Sequence, residues 1–128
     1  MFDLDEVKPD WSVLLAMRNG ETARLLALIL DGFGYTTLEC QDHGCVFERL
    51  AQTTPLAALV DVGMEEADEI CELVADREAT TLILLLPDGQ SDPEEVVARY
   101  RADRWESQEA GPEKLLYTLR GLAAGEHP

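Results

Sequence analysis

The sequence predicts an α/β domain built on a parallel sheet with helices on both faces. Three observations carry this. Short, mostly apolar runs at 12–17, 56–60 and 80–86 read as strands buried on both sides. They alternate with stretches of helical length and period, which implies βα units. At 128 residues the chain is one domain, long enough to bury about two-thirds of its unfolded surface.

Residues 1–11 form an acidic lead-in containing Pro9, and the domain proper runs over 12–125. A first strand at 12–17 ends at the turn Arg18-Asn19-Gly20. Apolar residues at 25, 26, 28, 29 and 30 predict a helix over 21–33, stopped by Gly32 and Gly34. β-Branched Thr36 and Thr37 mark a second strand over 35–40. Asp42 caps a helix to Gln52, with Cys45, Val46, Leu50 and Phe47 on its buried side. Thr53-Thr54-Pro55 ends it, and the apolar run 56–60 then delivers one carboxylate, Asp61, to a strand end.

An acidic helix follows over 65–77 with Ile70, Leu73 and Val74 inward; acids near its start suit the helix dipole. The run 80–86 is the most apolar strand and therefore central. Pro87-Asp-Gly89 is a turn, and Ser91 or Asp92 caps a helix opening at Pro93, with Val96, Val97 and Tyr100 inside. A weak last strand at 104–107 is required mainly by the βα rhythm. Gly111-Pro112 opens a final helix through Leu115, Leu116, Leu119 and Leu122, closed by Gly125. The pattern leaves no room for an output domain within the 128 residues.

Composition narrows the function. A net charge of −16 argues against nucleic-acid or anionic-membrane binding, because phosphates demand a basic surface. No apolar stretch reaches the ~18 residues of a membrane span, and 1–6 is acidic where a secretory signal would be basic. Cys40, Cys45 and Cys71 have no paired metal-ligand spacing and read as free thiols in a reducing cytoplasm. Phosphate-loop, nucleophile-elbow, HExxH and CxxC patterns are absent, and His43 and His127 have no catalytic partners, so no enzyme is expected. In open α/β sheets, chemistry collects at the carboxyl ends of the strands, where Asp61 sits. The plainer alternative is that Asp61 only caps the turn after its strand.

Five βα units, Leu59-Val-Asp61-Val-Gly-Met64 after an apolar strand, and Ala102-Asp-Arg-Trp-Glu-Ser-Gln108 before the last helix resemble a response-regulator receiver domain over about residues 12–124. The resemblance implies a flavodoxin-like, doubly wound sheet of order 2-1-3-4-5 with five helices. It also implies two-component signalling, in which a histidine kinase phosphorylates an Asp at the third strand's end. Asp61 matches that position.

The accessory positions depart from the family pattern. The acidic pair that helps hold Mg²⁺ falls on Met17 and Arg18, which supply no oxygen ligand. The Thr/Ser falls on Leu86, which cannot donate a hydrogen bond, and the Lys on the neutral amide of Gln108. The expectation is a degenerate pseudo-receiver with Mg²⁺ binding lost and no cofactor, in which Arg18 pairs with a vestigial Asp61. Trp105 falls at the aromatic switch position, where a fixed core or partner role is expected. With Arg99, Arg101 and Arg104 it lies on the fourth-helix, fifth-strand, fifth-helix face that receivers use for partners and homodimers. Two alternatives stand beside this: a phosphoacceptor receiver modified on Asp61, and a flavodoxin-like binder of a small anion.

Overall fold

The computed structural model describes residues 10–125; most of the expected lead-in lies outside them. The elements are β1 (Asp10–Ala16), α1 (Gly20–Gly32), β2 (Thr36–Cys40), α2 (His43–Gln52), β3 (Pro55–Asp61), α3 (Ala67–Ala75), β4 (Thr81–Leu86), α4 (Pro93–Arg99), β5 (Arg104–Ser107) and α5 (Pro112–Ala123). All strand pairs are parallel, in the order β2-β1-β3-β4-β5. The expected fold class is therefore observed. β1 starts two residues before the predicted position, so Asp10 and Trp11 belong to the strand rather than to the lead-in.

Strand alternation divides the core into two layers. Val13, Leu15, Ala57, Leu59, Ile83 and Leu85 pack with Ala23, Leu30, Leu115 and Leu119 of α1 and α5. Leu14, Ala16, Ala58, Val60, Leu82 and Leu84 face the other way, onto Val46, Ile70, Val74 and Val96 of α2, α3 and α4. Every residue of β3 is buried, which is why its sequence shows no polar alternation. Asp61 ends that strand as its one charged residue.

Local chemistry sets the boundaries. Asn19 accepts from the Glu21 and Thr22 amides and so caps α1, one residue before the predicted start. Gly34, not Gly32, stops this helix. At φ +93° it supports a reversal in which the Tyr35 amide reaches Leu30 O and the Gly34 amide reaches Asp31 O, while Gly32 stays in the last turn. Asp42 accepts from Cys45 N at 2.8 Å, the expected cap of α2. Asp92 caps α4 ahead of Pro93.

Three expectations need correction. α3 begins at Ala67 rather than at 65, because Met64 N bonds Asp61 O and Ala67 N bonds Met64 O in intervening turns. Phe47 is exposed: Val46 and Leu50, four residues apart, already form the buried stripe of α2. Cys40 and Cys45 are not free thiols but a disulfide, since the Asp42 cap folds the first turn of α2 back onto the end of β2 with Cα atoms 5.5 Å apart. Cys71 alone remains free, and it is buried. Among the described residues, no helix is long and apolar enough to cross a membrane.

Candidate functional site

Parallel pairing of β1 and β3 in register, Ala16 beside Val60, sets the carboxyl ends of both strands at the same end of the sheet, with Asp61 as the last residue of β3. There the backbone turns from β1 toward α1, and Arg18 meets Asp61. The Arg18 amide donates to Asp61 Oδ2 at 3.2 Å, and the Arg18 Nε donates to the same oxygen at 3.1 Å. The other oxygen, Oδ1, accepts from the Gly63 amide at 2.9 Å and from Gln108 Nε2 at 2.9 Å. An ionised carboxylate has about four lone-pair sites. All are engaged here.

Each contact has a local cause. The Gly63 amide lies two residues beyond Asp61, the geometry of an Asx turn. Gly63 also leaves room for Arg18: a Cβ there would collide with the guanidinium carbon and lie 2.7 Å from Nε. Gln108 follows β5, anchored by its own amide to Leu86 O at 2.8 Å. Its side chain bridges Leu85 O and Asp61. Asp61 is buried, whereas the Arg18 side chain is 58% exposed, so the guanidinium meets the carboxylate from its solvent side.

Of the residues singled out from the sequence, Asp61, Arg18 and Gln108 come together directly. Met17 is buried and lines the same crevice with Asn19 and Thr22. Leu86 is fully buried in the layer containing Ile70 and Val96; the β4 residue lining the crevice is Leu85. Sequence reasoning missed Leu85 for want of the strand's phase. It missed the Gly63 amide as well, although Asp-x-Gly after a strand is a readable turn signal. The plain role for Asp61, capping its own turn, is realised alongside the ion pair.

Arg99 and Arg101 line one surface depression with Tyr100, Asp68 and Glu72. Arg99 and Arg101 are exposed, and Arg101 pairs with Asp76 beyond the end of α3 at 3.2 Å. Arg101 takes φ +56° in the turn leaving α4. Arg104 is half-buried, and Trp105, also half-buried, donates from Nε1 to Glu94 at 3.4 Å.

No protein-family model matches the chain, and no curated protein does. Solved structures do. The signal receiver domain of a signal transduction histidine kinase from Syntrophus aciditrophicus is 25% identical, with a TM-score of 0.75 over 89% of this chain and 90% of that one. A putative response regulator from Chloroflexus aurantiacus is 20% identical, with a TM-score of 0.77 over 91% and 99%. The receiver domain of the TMAO respiratory system response regulator TorR is 14% identical, with a TM-score of 0.78 over 89% and 97%. With the strand order and the Asp61 strand end, these matches give the chain the flavodoxin-like receiver-domain fold of response regulators.

Proposed function

We propose that this chain is a two-component signalling module of the receiver class that works by protein–protein contact, without phosphorylation of Asp61. The supporting observation is the occupied carboxylate, each of whose oxygens accepts two hydrogen bonds. In-line phosphoryl transfer needs a free attacking oxygen and cations placed around the transferred group. Attack by Asp61 would first require breaking contacts to Arg18 or Gln108.

The residues present do not fit Mg²⁺. The ion asks for near-octahedral oxygen ligands, whereas the β1 end offers the Met17 thioether and the Arg18 guanidinium. Leu85 and Leu86 supply no hydroxyl to a phosphoryl oxygen. Signalling partners would meet the α4–β5–α5 face, where Arg99 is exposed on α4 and Tyr117 is 82% exposed on α5; a homodimer through this face belongs to the same reading. The net charge of −16 speaks against nucleic acid as the partner. Cytoplasmic residence also belongs to this reading, although the Cys40–Cys45 disulfide removes the thiol argument for it.

Intact-mass measurement after incubation with acetyl phosphate and Mg²⁺ tests the proposal. An unmodified mass is expected. A stoichiometric phosphoryl adduct, lost in Asp61→Asn, would overturn it.

A further inference from the structure

α1 carries apolar side chains on two opposite faces. Ala23, Ala27 and Leu30 are buried against the sheet, whereas Leu25 and Leu28 are each 62% exposed and Ile29 is 37% exposed on the far side. A helix that is apolar all round is normally enclosed by other structure. Exposed Phe33, which caps α1, and exposed Trp11 of β1 extend this surface and line one depression together. Of the seven large apolar side chains left open among the described residues, these are five; the other two, Phe47 and Tyr117, lie on α2 and α5. The five leave about 500 Å² of apolar area open, a size at which a patch marks an interaction site. Each partner of a standard interface buries about 800 Å², somewhat over half of it apolar. The α1 surface supplies that apolar share.

The charges beside the stripe say what covers it. Leu25 and Leu28 have the three-residue spacing of a coiled-coil seam, which next reaches Gly32, also exposed. Arg24 and Asp31 each precede a seam position by one residue, so they lie seven residues apart on one flank. A parallel copy would set them beside the other flank, held by Thr22 and Ile29, with no charge to meet. An antiparallel copy that packs Leu25 against the partner's Leu28 brings Arg24 of each chain to Asp31 of the other. Glu39 takes Arg24 Nε at 3.2 Å, which leaves both Nη groups for that contact. Glu21, the third charge on α1, then falls opposite Gly32, where no side chain is met.

We propose that this chain forms a two-fold homodimer through antiparallel packing of α1, with Leu25 and Leu28 interleaved at its centre and two Arg24–Asp31 ion pairs beside them. Such a contact is isologous, using the same patch on both copies. The net charge of −16 opposes self-association, so the pairing needs this locally balanced face and about 0.15 M salt, where repulsion beyond about 8 Å is screened. The surface is separate from α4–β5–α5, and the inference does not depend on how Asp61 is read.

Sedimentation velocity of the full chain from about 10 to 200 µM is the test, with circular dichroism to confirm that each variant folds. A concentration-dependent dimer is expected. Leu28→Glu, at an exposed position, should leave only monomer. Arg24→Asp and Asp31→Arg should each weaken the dimer by roughly tenfold, because each replaces two attractive contacts with two repulsive ones. Mixed in equal amounts, these two single variants should pair with each other about as tightly as the unaltered chain pairs with itself, since both flanking contacts again join an Asp to an Arg. Any of three results would overturn the proposal: monomer at every concentration, a dimer that survives Leu28→Glu, or single variants that do not recover on mixing.

Discussion

Arg18 holds a single oxygen of Asp61 twice, through its backbone amide at 3.2 Å and its Nε at 3.1 Å. The amide bond is fixed by the turn from β1 into α1, so only the Nε contact depends on side-chain identity. Arg18→Ala should therefore cost little, about 1 kcal/mol, because a charge-assisted bond is discounted where the guanidinium is largely exposed. Urea denaturation measures it, and a loss above about 3 kcal/mol would mean the pair is more deeply desolvated than its exposure indicates.

Gly63 gives an independent handle on the same pair. A methyl group at this position meets the flexible end of Arg18, which must swing away from Asp61. Gly63→Ala should lower stability by about as much as Arg18→Ala, and the double variant should be no worse than either alone. Additive losses in the double-mutant cycle would show that Gly63 acts through the backbone and not through the guanidinium.

The disulfide yields a mass and a stability prediction. The unreduced chain should carry one titratable thiol, Cys71, after unfolding. Cys40 and Cys45 are five residues apart, so the loop their bond closes is short. Chain-entropy arguments then assign it about 2 kcal/mol. Denaturation with and without a dithiol reductant, compared with Cys40→Ala/Cys45→Ala, should show a difference of that order.

Cys71 sets an alkaline limit. Burial, aided by the Asp68 carboxylate, pushes its thiol from an ordinary 9.0 up to about 12. The fold binds the neutral thiol, so this contribution is complete below pH 9 and is lost as pH rises toward 12. Buried Tyr35 and half-buried Tyr100 are shifted the same way, also chiefly by desolvation. Stability should fall across pH 9–12, and less steeply in Cys71→Ala, whatever that variant loses at neutral pH to its small cavity. A slope unchanged by Cys71→Ala would contradict the assignment.

How far the sequence could be read follows from the range of each interaction. Unbroken apolar runs and the Asp42 and Asp92 caps are local signals, and they located β1, β3 and β4 and the starts of α2 and α4. β5 is an edge strand whose Arg-Trp-Glu-Ser carries little β signal; pairing with β4 holds it in place, as does Asp103, which accepts from Leu82 N at 2.8 Å. The meeting of Asp61, Arg18 and Gln108 spans three strand ends and was legible only through the strand order that the family resemblance supplied. The crevice role of Leu85, the exposure of Phe47 and the Cys40–Cys45 bond depend on strand phase, helix rotation and turn geometry, which no single stretch of sequence encodes.

Replacing both β1-end residues tests whether the absent Mg²⁺ ligands alone separate this crevice from a cation site. In Met17→Asp/Arg18→Asp, a buried thioether and a guanidinium give way to two carboxylates near Asp61. Three acids without a cation repel one another, so the variant should be less stable than the parent by about 2–4 kcal/mol in the absence of metal. Mg²⁺ should restore much of that loss, since a cation bound only by the folded state stabilises it in proportion to the logarithm of its concentration. The unaltered chain, with Arg18 already on Asp61, should show no such response. Thermal melts with increasing Mg²⁺ at constant ionic strength separate the outcomes. A melting temperature that climbs in the double variant and stays flat in the parent supports the ligand argument. A parent that responds equally would mean Arg18 yields its place to the ion, and the reading of Asp61 as a closed, unphosphorylated position would fail with it.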